Sequence, residues 1–385
     1  MIPLRVLHAL VAVRGAEWEA FRALAAACAC VGHEAALLLP AGVETAFFPV
    51  VSLPSSGWRW LLGGRQRTTR AVAAWMPDLI HVHHPELLGP AMEVGRRLAL
   101  PVTAVMNGHY DTALLRRLRD PRLTCTVVPA EHHRAQLISG LGLLRDRVTV
   151  IPCGLTPQGP SRALVSSGAF TLGACGPHLR GRHLDRLLTA VVRRSVAGTA
   201  LRVRLLPDPA TPEADREDLA QLAQRHGDAV EIAVAAAGTP LGEFLDSCDV
   251  FAELAPDPHP WPLLVALAHG RPVLGSAAGP VAEWLPADEV ALLIDPADPT
   301  ALDQALERYA DPSLRRVFGA AGRRLVRDRF DAAVVARATA DLWRTAIGEA
   351  DPTSGDITSV WRRATASRLP PATGTAAVQR SMDGS

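Results

Sequence analysis
The chain contains no lysine; its 40 Lys-plus-Arg residues are all arginine. GC-rich codon bias is the plain reading of that choice, but the choice has a chemical consequence. Any step that needs an ammonium must use another group, and anion contacts fall to guanidinium and backbone N–H groups. Cysteine is sparse and scattered: Cys28, Cys30, Cys125, Cys153, Cys175 and Cys248 form no CxxC pair. That argues against structural zinc and against a disulfide framework, and suits a reducing cytosol. Neither sign of charge dominates. A formal net charge of +1 gives no global attraction to nucleic acid or to an anionic membrane. No uninterrupted apolar run approaches the ~18 residues that span a bilayer. The opening MIPLRVLHALVAVRG is too short and wrongly flanked for a signal peptide and reads as a first strand. The expected location is the cytoplasm.

What is present is an alternation. With 385 residues and 48% hydrophobic content, the chain is long enough for two or three domains. LRVLHALVAV, AALLLP, PDLIHVHH, PVTAVMN, CTVVP and RVTVIP are apolar runs of strand length, with helical periodicity between them, as over Glu17 to Ala29. Continuous apolar strands alternating with helices indicate a parallel sheet covered on both faces. CGLTPQGPSRALVSSG interrupts the pattern as a Gly/Pro/Ser-rich linker. The alternation then restarts with FTLGACG, LRVRLLP, VEIAVA, DVFAEL, RPVLGSA and ALLIDP. The sequence therefore predicts two doubly wound α/β domains in tandem.

In open parallel sheets ligands bind beyond the carboxyl ends of the strands. The residues just after each run are thus the candidates: Arg14-Gly15, His81 to His84, Asn107-Gly108-His109, Gly176 to Arg182, Asp257 to Trp261 and Gly275 to Gly279. In PDPHPWPLLVALAHGRPV, residues 256 to 273, a helix is predicted to start near Pro262, because proline suits the first helical position. Its exposed N–H groups and positive dipole end make an anion site. GRHLDRLL offers a second helix start, with Arg180 and Arg182 in or near the first turn. Two such starts suit a diphosphate, although plain capping explains each alone. The i, i+2 histidines of HVHH have no acidic partner at diagnostic spacing, so no metal is assigned. His132-His133 falls at a helix start and reads as solvated. His109, beyond a strand and followed by Tyr110-Asp111, is better placed to meet a ligand.

GAE after the first strand, PDLIHVHH, PVTAVMNGH, RVTVIPCG, DVF and the run from ALAHGRPVLGS to ALLIDPADP occur in an order and at a spacing that resemble the family-four retaining glycosyltransferases of the GT-B fold. The resemblance covers roughly residues 4 to 345. It implies an α/β chain of two tandem Rossmann-like domains, doubly wound parallel sheets facing a central cleft. Residues 1–155 would form the acceptor domain, 156–168 the linker and 169–332 the nucleotide-sugar domain, with a helix at about 333–348 packing back on the first. Residues 349–385, polar and aperiodic, are expected to be disordered. The resemblance further implies a nucleotide-sugar donor, no cofactor, no metal, and front-face substitution assisted by a phosphate oxygen. Asp257 and His109 would be the catalytic residues, one holding the transferred sugar, the other contacting sugar or acceptor. Gly15, Gly176, Arg180, Arg182, His259, Trp261, Gly279 and Glu283 would surround the donor and its phosphates.

The chain departs from the family's pattern. Two glutamates usually stand eight positions apart, one on the sugar and one on the ribose hydroxyls. Matching back from HGRPV puts Asp257 at the first, one methylene shorter, and Val265 at the second, where valine cannot accept a hydrogen bond. The usual Lys and Arg on the diphosphate fall on Arg182 and Pro177. The glycine turn after the next strand reads PDPA, Pro207 to Ala210, the paired glycine is Arg14-Gly15, and the histidine expected after PVTAV falls on Asn107. A charge-assisted hydrogen bond is worth roughly 1.5–3 kcal/mol. Loss of one or two to the ribose would weaken donor binding by about one to four orders of magnitude.

Two readings follow. One is a transferase moving a hexosyl unit from an NDP-sugar to a hydroxyl of a glycan, lipid-linked or small-molecule acceptor. The other is a non-catalytic GT-B protein that partners or regulates an active glycosyltransferase; Val265 and Pro177 favour it. GWRWLLGGRQR, 57–67, and LLRRLRDPR, 114–122, are compatible with peripheral contact at the inner face of a membrane. Solvated helix faces and snorkelling arginines explain them at least as well.

Overall fold
Short runs of Val, Leu, Ile and Ala build two all-parallel sheets. The computed structural model describes residues 3–54, 60–107, 116–156, 169–176, 179, 182–208, 211–227, 229–236 and 238–348. The expected linker, apart from residue 156, and the expected tail lie outside the described residues. In the first domain β1 (Arg5–Ala9), β2 (Glu34–Pro40), β3 (Val50–Leu53), β4 (Leu79–Val82), β5 (Val102–Val105), β6 (Leu123–Val128) and β7 (Val148–Val150) form one sheet in the order β3-β2-β1-β4-β5-β6-β7. Its long helices are α1 (Gly15–Ala29), α2 (Arg65–Trp75), α3 (Leu88–Leu98) and α4 (Glu131–Leu141). LIHV and VTAV are buried at every position, as expected for strands covered on both faces. The edge strand β3 was not anticipated, being four residues long and partly exposed.

The second sheet runs β10-β9-β8-β11-β12-β13, from β8 (Phe170–Cys175), β9 (Leu201–Leu206), β10 (Glu231–Val234), β11 (Val250–Glu253), β12 (Val273–Ser276) and β13 (Ala291–Ile294). Its helices are α5 (Arg182–Val196), α6 (Glu213–His226), α7 (Leu241–Asp246), α8 (Pro260–Ala268), α9 (Pro280–Trp284), α10 (Pro299–Tyr309) and α11 (Pro312–Arg329). Strand order reverses between β1 and β4 and again between β8 and β11, and each reversal opens a crevice at the strand ends.

The last helix, α12 (Ala332–Ile347), returns to the first domain. Asp298, Asp311 and Asp331 start α10, α11 and α12 by accepting from the backbone N–H two residues on, at 2.7–2.8 Å, the usual work of an N-cap aspartate. Leu155 N donates to Phe330 O at 2.7 Å and Ala332 N donates to Leu155 O at 3.1 Å, which fixes the crossing point. Trp343 is fully buried in a cluster with Leu4, Val6 and Leu79, and its Nε1 donates to His81 Nδ1 at 3.3 Å.

Candidate functional site
After β11 the chain turns through Pro256-Asp257-Pro258 into α8. The helix begins at Pro260, two residues earlier than expected, because His259 takes the N-cap and its Nδ1 accepts from Trp261 N at 3.1 Å. Trp261 itself is buried. All of α8 except Pro262 is buried, and Val265 belongs to an apolar cluster that also takes in Ala16, Ala20 and Ala23 of α1. The position of the family's ribose carboxylate is thus a buried place in an apolar cluster that spans both domains.

Asp257 Oδ1 lies 2.6 Å from Nε2 of His133, on α4 of the first domain. His133 is only 5% exposed and stacks against Trp284, ring centroids 6.3 Å apart at 24°. Trp284 Nε1 donates to Pro129 O at 3.0 Å. Glu283 accepts from Glu131 N at 2.7 Å and His132 N at 2.6 Å. Its carboxylate, expected to face a donor, instead caps the start of α4, where the helix dipole is positive. His133, expected in solvent, is instead a buried partner of Asp257. No local pattern distinguishes the face of α4 that meets the other domain, so sequence reasoning missed it.

Gly279 joins this group. Its φ is +73°, and a Cβ there would stand 2.3 Å from Pro256 O. Only glycine lets the loop before α9 close on the Asp257 turn. Gly15, at the start of α1, faces Asp208 of the second domain, whose Oδ2 would lie 3.7 Å from a Cβ there. Gly176 follows β8, its N–H donating to Leu206 O at 3.1 Å. Arg182 opens α5, but its side chain, together with Pro177, Arg180 and His109, lies outside the described residues.

At the β8–β11 reversal a small cleft is lined by residues that include Cys175, Leu179, His183, Glu253 and Ala255. Burial pushes the Glu253 carboxyl up to about 8, and its Oε1 accepts from Ala255 N at 3.1 Å. His183 Nδ1 is buried with no hydrogen-bond partner among the described residues. A neutral acid and an imidazole can hydrogen-bond a hydroxyl or phosphate oxygen without like-charge repulsion. Neither residue stood out in the sequence, since Glu253 reads as one more position of DVFAEL.

The first domain has a small cleft whose lining includes Phe21, His81, His83, Asn107, Cys153 and Thr339. His8 and His83 share a hydrogen bond of 3.0 Å, and His81 Nδ1 lies 2.8 Å from Thr103 Oγ1. Burial lowers all three imidazoles, His81 to about 3. Among the described residues no group of three or more His, Cys, Asp or Glu could hold a metal ion, and no helix is long and apolar enough to cross a membrane.

Residues 19–158 match the sequence model of Glycosyltransferase Family 4. A search of curated protein sequences gives no match. A glycosyltransferase from Rickettsia africae ESF-5 is similar in structure, with a TM-score of 0.72 at 12% identity over 90% of this chain and 99% of that one. Anabaena HepE in complex with UDP-glucose gives 0.72 at 16% identity, over 89% and 100%. Sucrose-phosphate synthase from Thermosynechococcus elongatus gives 0.67 at 18% identity, over 90% and 99%. At such identities the likeness is one of fold. With its two parallel sheets joined by a returning last helix, the chain has the GT-B fold, and residues 19–158 of its first domain match the Glycosyltransferase Family 4 model.

Proposed function
We propose that the chain is a glycosyltransferase that moves a hexosyl unit from an NDP-sugar to a hydroxyl acceptor with retention of configuration. The observation that carries this reading is the meeting, at one domain edge, of Asp257, the start of α8 and the closed Gly279 turn. The diphosphate would lie where α5 and α8 begin. Arg182 and backbone N–H groups would there face the charge that develops on the leaving group. Asp257 would hold the sugar. The UDP-glucose complex of Anabaena HepE supports a nucleotide-sugar as the donor class. Neither cofactor nor metal enters this reading. The acceptor would approach over the first domain, where the arginine-bearing segments within 60–67 and 116–122 would suit a lipid-linked acceptor at the inner membrane face.

Val265 packed into the domain seam and Glu283 engaged as a helix cap favour a second reading, a GT-B protein without catalysis that partners an active glycosyltransferase. NDP release from UDP-, GDP-, ADP- and TDP-sugars, with and without magnesium and across a panel of hydroxyl compounds, separates the two. The first reading predicts turnover that Asp257→Asn lowers by about 100-fold or more. Nucleotide binding without turnover across the panel would leave the second.

A further inference from the structure
We infer that His133 is the positioning residue for Asp257, so that the carboxylate holding the transferred sugar is oriented from the opposite domain. This rests on the donor reading above. Asp257 is one methylene shorter than the glutamate of the resembling enzymes, and its carboxylate is correspondingly less able to reach and turn by itself. The 2.6 Å contact from His133 Nε2 to Asp257 Oδ1 fixes it, at the short end of the range for hydrogen bonds to a carboxylate.

The imidazole is itself held. Trp284 lies stacked against it, anchored through Nε1 to Pro129 O at 3.0 Å. Glu283 pins the two residues before it through their backbone N–H groups. At 5% exposure, water hardly competes for the ring. His133 Nδ1 is buried and has no hydrogen-bond partner among the described residues. An N–H left there would carry the desolvation penalty of an unmatched donor, about 1–3 kcal/mol. Nε2, which faces the carboxylate, is the nitrogen that carries a proton and donates it in a hydrogen bond to Asp257.

The arrangement has a functional consequence. Because α4 belongs to the first domain and Asp257 to the second, the His133 contribution to aiming the carboxylate exists only while the domains are closed. His133 would therefore contribute to binding of the sugar and not to binding of the nucleotide.

Calorimetric titration with UDP, GDP, ADP and TDP, and with UDP-glucose, GDP-mannose, ADP-glucose and TDP-glucose, tests this. His133→Phe keeps a ring against Trp284 but has no nitrogen; His133→Gln restores an N–H donor at a similar reach. The nucleotide that binds the native protein should bind His133→Phe within about twofold, while its sugar form loses about tenfold or more. His133→Gln should recover most of that loss, and His133→Phe should add nothing further in an Asp257→Asn background. Nucleotide and nucleotide-sugar weakening together, or neither weakening, would overturn the inference and leave His133 as a domain contact. Failure of the folded native protein to bind any nucleotide would overturn the donor reading itself, and this inference with it.

Discussion
Burial does to Glu253 what it does to His8, His81 and His83: it favours the neutral form, raising the carboxyl and lowering the imidazoles. The consequences for stability have opposite signs. Below about pH 6.5 the unfolded chain protonates its histidines while the buried rings stay neutral, so stability falls as pH drops from there. Glu253 is shifted from 4.5 to about 8, so between those values the folded state holds the extra proton. Its contribution is complete below about pH 4.5 and is lost as pH rises through about 8. Glu253→Gln, which cannot ionise and can still accept from Ala255 N, should melt higher than the native protein at pH 8. The gain should be on the order of 4 kcal/mol and should close as pH falls toward 4.5. Equal melting temperatures at both ends would mean that the carboxyl is not buried as described. At this scale the sequence was legible where a backbone constraint left a mark. Gly279 and Asp257 could be placed by motif and meet in the structure, whereas His133 could not. Its role depends on which face of α4 the other domain covers, and that is a tertiary fact.

The elements were the most legible part. Strands such as LIHV and VTAV announce themselves because both faces are buried. The exceptions have physical reasons: β3 is a short edge strand with mixed burial, and α8 starts early because His259 supplies the cap. Helix α8 also shows how a site can change its use. From the sequence its start was expected to serve as an anion site, with Val265 where the resembling enzymes have a glutamate; in the structure Val265 packs in the cluster that α1 shares. Restoring the family's carboxylate with Val265→Glu should therefore bury an unpaired charge. A loss of about 3 kcal/mol or more is expected, lowering the melting temperature by roughly 6–12 °C. A Val265→Glu protein that melts like the native one and binds nucleotide more tightly would mean that position 265 faces a ligand after all.

Across the whole molecule, two sheets, each reversing strand order once, turn their loops toward a common seam, and α12 ties the second domain's chain back onto the first. The domains touch through apolar packing of α1 with α8 and through the polar contacts of Glu131, His132 and His133 with Glu283 and Asp257. The alternating periodicities were enough to anticipate two parallel sheets in tandem, whereas the facing cleft and the returning last helix were implied by the resemblance carried in the order of the motifs. The contacts between the domains were legible in neither, because they pair residues more than a hundred positions apart. The most direct test of the central claim, a nucleotide-sugar site on the second domain, is calorimetric titration of the folded protein with UDP, GDP, ADP and TDP, first without metal and then with magnesium. The account predicts micromolar binding of one nucleotide, weakened by Arg182→Ala. No binding of any of the four up to millimolar concentration would contradict it.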